Sequence, residues 1–313
     1  MGRDQSDVSQ NAVPDQARLT RADLLRMELI APPDEAAGLA TTFYRVRCDE
    51  AHIRDVQPSS IGILILLGKG TGTLRFLDDR VERGPGFTLV TPTSAATTLE
   101  MEGPWDAFGA MLSPVGWASL TGLSAAEHGN RVRAAAEVVR APLADAGEAI
   151  LRDYDSLSDG DKAAILARGM AAAARPLPPR HVAFIRTVAE WLARSLSPPL
   201  ADLYDSSGYG PRQVQRLTER YFGLAPATLV RKYRALRAAV LLAKPGLSDE
   251  DLGAIQDHFY DQSHMIREIR MFAGRTPARI ADPDMPFLSR FLDLRNFRQA
   301  GPRLAPIPAD LRA

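Results

Sequence analysis

"SGYGPRQVQRLTERYFGLAP" occupies Ser207 to Pro226, and at an offset of 51 residues "HFYDQSHMIREIRMFAGRTP" occupies His258 to Pro277. Overlaid at that offset, Tyr209 falls on Tyr260, Gly210 on Asp261, Val214 on Met265, Arg216 on Arg267, Gly223 on Gly274 and Pro226 on Pro277. Each segment reads as a helix with its own punctuation. Gly210-Pro211 opens the first, because proline at the first helical position gives up an N–H that has no helical partner there. Asp261 opens the second as an N-cap. Gly223 and Gly274 end them, glycine being the residue that enters a left-handed turn without a steric penalty.

Outward from these segments the same plan appears twice. "PLADLYDSS" is a short helix ahead of the first segment, and "DEDLGAIQDHF" one ahead of the second. Between them "APATLVRKYRALRAAVLLA" is a long amphipathic helix, ending at a break at Lys244-Pro245-Gly246. A short helix, a tight turn and a longer polar-fronted helix, repeated, describe two helix-turn-helix units. The second helix of such a unit places its N-terminal residues at base edges in the major groove. Those residues are Arg212, Gln213, Gln215 and Arg216 in one unit, and Gln262, Ser263, His264 and Arg267 in the other. Arginine bonds bidentately to guanine and glutamine to adenine, so the residue types suit DNA reading. On the central helix Arg231, Lys232, Arg234 and Arg237 fit either a solvated face or phosphate contacts.

Charge distribution points the same way. Residues 180–280 hold 15 Lys and Arg against 10 Asp and Glu, a net +5, and the rest of the chain is −5 for a total of zero. A locally basic segment suits a polyanion. The chain has 313 residues, of which 45% are hydrophobic and 24% charged, as expected of a folded protein with room for two domains. No stretch approaches the roughly 20 apolar residues of a membrane span, and a cytoplasmic setting is expected. Cys48, the single cysteine, excludes an intrachain disulfide and a thiolate metal cluster, and reads as a small strand residue.

Residues 40–112 carry strand signals: "TTFYRV", "IGILILL", "TGTLRFL", "FTLVTP" and "WDAFGAML", with Asp78-Asp79 as a tight turn. Short strands split by "GKGTG" and "ERGPG" suggest a small antiparallel barrel or sandwich. Trp105, Phe108 and Met111 read as core. From Gly116 the period becomes helical and Ala-rich, up to a Pro-rich break, "RPLPPR", at 175–180. Beyond it "HVAFIRTVAEWLARSL" sets Phe184, Val188, Trp191 and Leu192 on one stripe. Near the end, "FLSRFLDLRNF" (287–297) has enough apolar surface to dock on another domain.

The tract 180–281, and "FYDQSHMIREIRMFAGRTP" above all, closely resembles the AraC/XylS family of transcriptional regulators. The resemblance implies two helix-turn-helix units joined by one long helix, here Ala225 to Ala243, reading successive major-groove segments. It implies operator DNA and RNA polymerase as partners, with a homodimer and a small-molecule effector as further partners. It also implies a cupin-like sensor domain, which "GKGTGTLRFLDDRVERGPGFTLVTP" resembles, and the expectation is divided between a ligand-sensing pocket there and a barrel that only mediates dimer contacts. The chain departs from the family pattern at Thr218, where phenylalanine is usual, and at His258, where glycine is usual. Enzymatic cupins use a His-x-His metal motif that this chain lacks, and the family's DNA-repair branch needs four cysteines. No cofactor, metal or catalytic residue is therefore expected.

The expected fold is α+β with two domains: a cupin-like antiparallel β-barrel plus helices, then an all-α double helix-turn-helix domain. The expected divisions are a tail (1–22), a regulatory domain (23–115), a helical linker or dimerisation region (116–178), a DNA-binding domain (179–282) and a C-terminal tail (283–313). A DNA-binding regulator is the expected function. The competing expectation is a ligand-binding or enzymatic cupin whose helical domain has lost DNA binding.

Overall fold

The computed structural model describes residues 25–243, 246–280 and 287–288. The expected tails, apart from Phe287 and Leu288 of "FLSRFLDLRNF", and Lys244-Pro245 of the central break lie outside these residues. The N-terminal half is an antiparallel sheet of β1 (Leu25–Ile30), β2 (Ala40–Cys48), β3 (His52–Gln57), β4 (Ile63–Arg75), β5 (Val81–Arg83), β6 (Phe87–Val90), β7 (Thr97–Leu112) and β8 (Val132–Ala134). Its order is β1-β2-β7-β4-β6-β8, with β3 paired to β7 and β5 to β4. Among the described residues this path does not close on itself, so the expected barrel is an open, bent sheet.

The bend lies in the long β4–β7 pair. Its register slips between Leu67 and Lys69 and again between Lys69 and Thr71. Gly70, at φ +78°, sits in the slip, and a Cβ there would lie 2.6 Å from the Glu102 carbonyl oxygen. On one side of the bend β4–β7 is flanked by β6 and β2, on the other by β5 and β3. The apolar run "IGILILL" follows from this arrangement. Leu64 and Leu66 pack with the helices, whereas Ile63, Ile65 and Leu67 line a cavity on the opposite face. Both faces are buried, so hydrophobicity does not alternate along the strand. The Asp78-Asp79 turn is as expected, with Asp79 at φ 59°.

Helices cover the first face. α1 (Pro114–Thr121) is capped by Ser113, α2 (Ala141–Arg152) follows β8, and α3 (Asp159–Ala173) opens on a capping box of Ser158 and Asp161. After the Pro-rich break come α4 (Pro179–Arg194), α5 (Leu200–Ser207), α6 (Pro211–Phe222), α7 (Pro226–Leu242), α8 (Asp249–Gln256) and α9 (Gln262–Ala273). α6 and α9 keep the offset of 51 residues at both ends.

The Pro-rich break separates helices without separating cores. One apolar cluster runs from Phe43, Leu64 and Phe108 through Trp117 and Leu166 to Trp191, Val214 and Phe222. The first half of α7 belongs to it, through Leu229 and Tyr233. The second half, from Ala235 to Leu241, packs instead with Ile255, Met265, Ile269 and Phe272 of the second unit. α7 is thus a beam shared by both units.

Candidate nucleic-acid interface

α6 buries Val214, Leu217, Thr218, Tyr221 and Phe222, and α9 buries Met265, Glu268, Ile269, Phe272 and Ala273. The opposite faces carry the predicted DNA-reading residues. On α6, Arg212, Gln215 and Arg216 are exposed and Gln213 is half-buried. Arg216 donates to the Gln213 amide oxygen at 3.0 Å, and Gln215 donates to Glu219 at 3.0 Å. Arg220 extends the series, giving exposed arginines at intervals of four, a spacing that the sequence displays although Arg220 was not among the predicted residues. The ring of His181 reports their field. Burial, then Arg180, Arg220 and Arg216, hold its pKa below the ordinary value, and its Nδ1 lies 2.7 Å from the Tyr221 hydroxyl.

On α9, Gln262, Ser263 and Arg267 are exposed, and Arg270 extends the series. Asp261 caps the helix as expected, accepting from the His264 N–H at 2.7 Å. Tyr260, 92% exposed, stands beside the cap. His264 is drawn inward, its Nε2 3.3 Å from a buried oxygen of Glu268. The turn ahead of α9 avoids positive φ at His258, as its residue type requires. Thr218 donates to the Val214 carbonyl at 2.7 Å, with Tyr221 and Phe222 filling the neighbouring core.

The central helix corrects the sequence reading. Lys232 and Arg237 are buried, Arg234 is nearly so, and Arg231 alone of the four is exposed. Arg231 and Arg234 both bond Glu268, at 2.6 Å each. Arg237 donates to the Ser195 carbonyl at 2.9 Å, and burial lowers its pKa to about 10. These cations hold the interior together because α7 runs between two cores and leaves little of its surface to solvent.

The N-terminal half grips both units at equivalent places. The last carbonyls of a helix lack partners within it. Here the Ala125 N–H donates to the Arg220 carbonyl of α6 at 2.8 Å. The Ala96 N–H donates at 2.8 Å to the Met271 carbonyl of α9, the position 51 residues on, and the Ser59 N–H reaches the Phe272 carbonyl at 2.9 Å. The two terminating glycines are approached as well, Gly223 by Ala125 and Gly274 by Val56. Gly274 has φ +91°, and a Cβ there would lie 2.8 Å from the Val56 side chain. Behind it, Arg275 forms a buried ion pair with Asp55 of β3.

Lys232 adds a further link. Its Nζ donates to the carbonyls of Ser60 at 3.1 Å and Thr93 at 3.2 Å, both in the N-terminal half. Burial lowers its pKa from 10.5 to about 7. Between those values the unfolded chain holds a proton that the folded chain lacks, so this group makes stability rise with pH. The stability of the wild type minus that of Lys232→Met should therefore rise by about 1 kcal/mol per pH unit from pH 7.5 to 9. Urea unfolding at each pH measures it, and a flat difference would show that Lys232 stays protonated.

On the far face of the sheet a cavity of about 80 Å³ is walled by aliphatic residues of β1, β2, β4, β6 and β7. Trp105 and Phe108 are core as expected, in the clusters on opposite faces of the sheet, and Met111 packs against that of Trp105; Trp105 and Met111 also line the cavity. Phe287, from beyond the helix-turn-helix units, lines it too. Among the described residues no group of His, Cys, Asp or Glu is placed to hold a metal ion, and no helix is long and apolar enough to cross a membrane.

A model of a helix-turn-helix domain family matches residues 203–282. YkgA of Escherichia coli (strain K12), named as an HTH-type transcriptional regulator, is 30% identical over 95 residues, which are 30% of this chain and 39% of YkgA. The match therefore spans about two fifths of that relative. Among solved structures, ToxT from Vibrio cholerae O395 overlaps 85% of this chain and 98% of its own, with a TM-score of 0.41 and 8% identity. Unsaturated fatty acid-bound ToxT from strain SCE256 overlaps 82% and 93%, with a TM-score of 0.41 and 9% identity. The AraC-like transcriptional activator CuxR overlaps 69% and 87%, with a TM-score of 0.29 and 16% identity. These structural overlaps are loose, and no role is carried across from them.

Proposed function

We propose that this chain, whose C-terminal residues 203–282 are an AraC-type helix-turn-helix domain, is a sequence-specific DNA-binding transcriptional regulator. Arg212, Gln213, Gln215 and Arg216 on α6, with Gln262, Ser263, His264 and Arg267 on α9, are its base-reading sets. Arg220, Arg270 and Tyr260 are added as backbone contacts. The observation that carries this reading is the pair of equivalent helices. Each is apolar toward the core and polar toward solvent, at an offset of 51 residues kept at both ends. Arg216 and Arg267 stand exposed at the same position of the two helices, and each helix carries further exposed polar residues near its start, Arg212 and Gln215 on one and Gln262 and Ser263 on the other. His264 is the weakest member of its set while Glu268 holds it, and reading a base would require its ring to turn outward.

The N-terminal half is the regulatory part in this reading, and its cavity is the place for a small-molecule effector. RNA polymerase and a second copy of the chain are proposed partners on the resemblance alone. Catalysis is not part of the proposal.

Mapping the genomic DNA fragments that the chain binds provides the test, and absence of any enriched site would sink the reading. On a recovered site, Arg216→Ala and Arg267→Ala should each cost roughly 1–3 kcal/mol, and far less on random DNA. Equal losses on both would make these two arginines phosphate anchors.

A further inference from the structure

The walls of the cavity specify the chemistry of an occupant. They are aliphatic for the most part, and none of the described lining residues is Lys, Arg or His. Glu82 is the charged one, and it is already engaged by Arg80 and by the Val132 N–H. Two of the lining residues, Gln57 and Trp105, have donor nitrogens, Nε2 and Nε1, that are buried with no hydrogen-bond partner. A buried donor without an acceptor is costly, and an acceptor on a bound molecule would relieve it. A carboxylate, in contrast, would lose its hydration without meeting a cation.

Phe287 ties this cavity to the second helix-turn-helix unit. Its ring belongs to the cluster on the cavity side of the sheet, while its neighbour Leu288 belongs to the cluster of α9. The Phe287 N–H donates to Asp55 Oδ2 at 2.9 Å, and the other oxygen of Asp55 holds Arg275, two residues past the end of α9. Asp55 is on β3 between Ile53 and Gln57, so the same strand that offers a donor to the cavity also holds the C-terminal end of α9. Without its pairing to Arg275 and Phe287, Asp55 would be a charge with no exposure at all.

We propose that the cavity binds a neutral, mainly apolar small molecule carrying a hydrogen-bond acceptor for Gln57 or Trp105, and that this ligand competes with the Phe287 ring. Displacing Phe287 removes the N–H from Asp55 and loosens the hold of Asp55 and Arg275 on α9. The inference rests on the effector reading of the cavity, and it assigns the ligand class and the side chain that senses it.

The test uses the full chain without DNA, so it stands or falls separately from the DNA-binding reading. Octan-1-ol and octanoate, equal in chain length and different in charge, are titrated calorimetrically at pH 7.5. The alcohol should bind at least tenfold more tightly. Phe287→Ala should strengthen octan-1-ol binding severalfold by removing the competitor, and Phe287→Trp should weaken it. Hydrogen exchange of the α9 amides should speed up on octan-1-ol binding and in Phe287→Ala. Thermal melting of each variant shows whether it is folded, and Phe287→Leu replaces Phe287→Ala if the latter is not. Octanoate binding as tightly as the alcohol would overturn the assigned ligand class, as would no binding of either by wild type and the smaller variant. Binding that ignores residue 287, or leaves α9 exchange unchanged, would overturn the coupling.

Discussion

Replacing Glu268 with alanine is expected to destabilise the chain by about 3–5 kcal/mol, the cost of removing one partner from a buried ion network. Glu268 is 1% exposed. Its Oε1 accepts from Arg231 at 2.6 Å, and its Oε2 accepts from Arg234 Nε at 3.1 Å and Nη2 at 2.6 Å. Arg234 extends the network, donating to the Ser197 hydroxyl at 3.2 Å and the His258 carbonyl at 3.1 Å, over the ring of Phe259. One carboxylate thus fastens α9 to α7, and through Arg234 to the turn ahead of α9. Without it, the guanidinium of Arg234, 12% exposed, stays in the interior with its charge uncompensated. The guanidinium of Arg231 has solvent to turn to, so Arg231→Ala should cost less than about 1 kcal/mol. Urea unfolding of the two variants decides the matter. Equal and small losses would mean that the network contributes little and that apolar packing alone holds α9 in place.

Affinity for operator DNA should fall roughly 500-fold between 50 and 200 mM salt if the five exposed arginines of α6 and α9 each neutralise one phosphate. The slope of log K against log salt would then be about −4.5. The central helix is left out of this count on structural grounds. Lys232 and Arg237 are buried, and Arg231 and Arg234 are bonded to Glu268. If Arg212, Arg216 and Arg267 read bases instead, two phosphates remain and the slope eases to about −1.8. Titrations of the full chain at five salt concentrations separate these values. A slope near zero would remove the basis for a DNA-facing role of α6 and α9, and one much steeper than −4.5 would require cations beyond these two helices.

Much of the helix-turn-helix part was legible in the residues because its signals are local. Pro211 at a first helical position, Asp261 as a cap, and Gly223 and Gly274 at left-handed ends act within one turn of chain. The spacing of exposed Arg and Gln on α6 and α9 follows from helical period alone. The sheet was legible as strands, since "IGILILL" and "TLRFLDD" carry their own β signals, but its closure was not. Whether eight strands close into a barrel depends on where the β4–β7 register slips, and that is settled by pairing across the chain. The same limit applies to the cavity. Trp105 and Met111 read as core and are, but nothing in them marks the cavity beside them, because burial in a wall and burial in a packed centre select the same residue types.

The sequence by itself determined the repeat, the helix boundaries in it and the faces that α6 and α9 show to solvent, because periodicity and caps are short-range properties. Only the tertiary structure decided what the central cations do. A row of Arg and Lys on an amphipathic helix is the same string whether it faces water, phosphate or protein. Lys232 meets the carbonyls of Ser60 and Thr93, and Arg234 meets Glu268, across separations in sequence that no local pattern encodes. The joining of the two halves was decided there as well. Backbone N–H groups of Ala125 and Ala96 supply the partners that the ends of α6 and α9 lack, and a backbone donor leaves no mark in the amino-acid sequence.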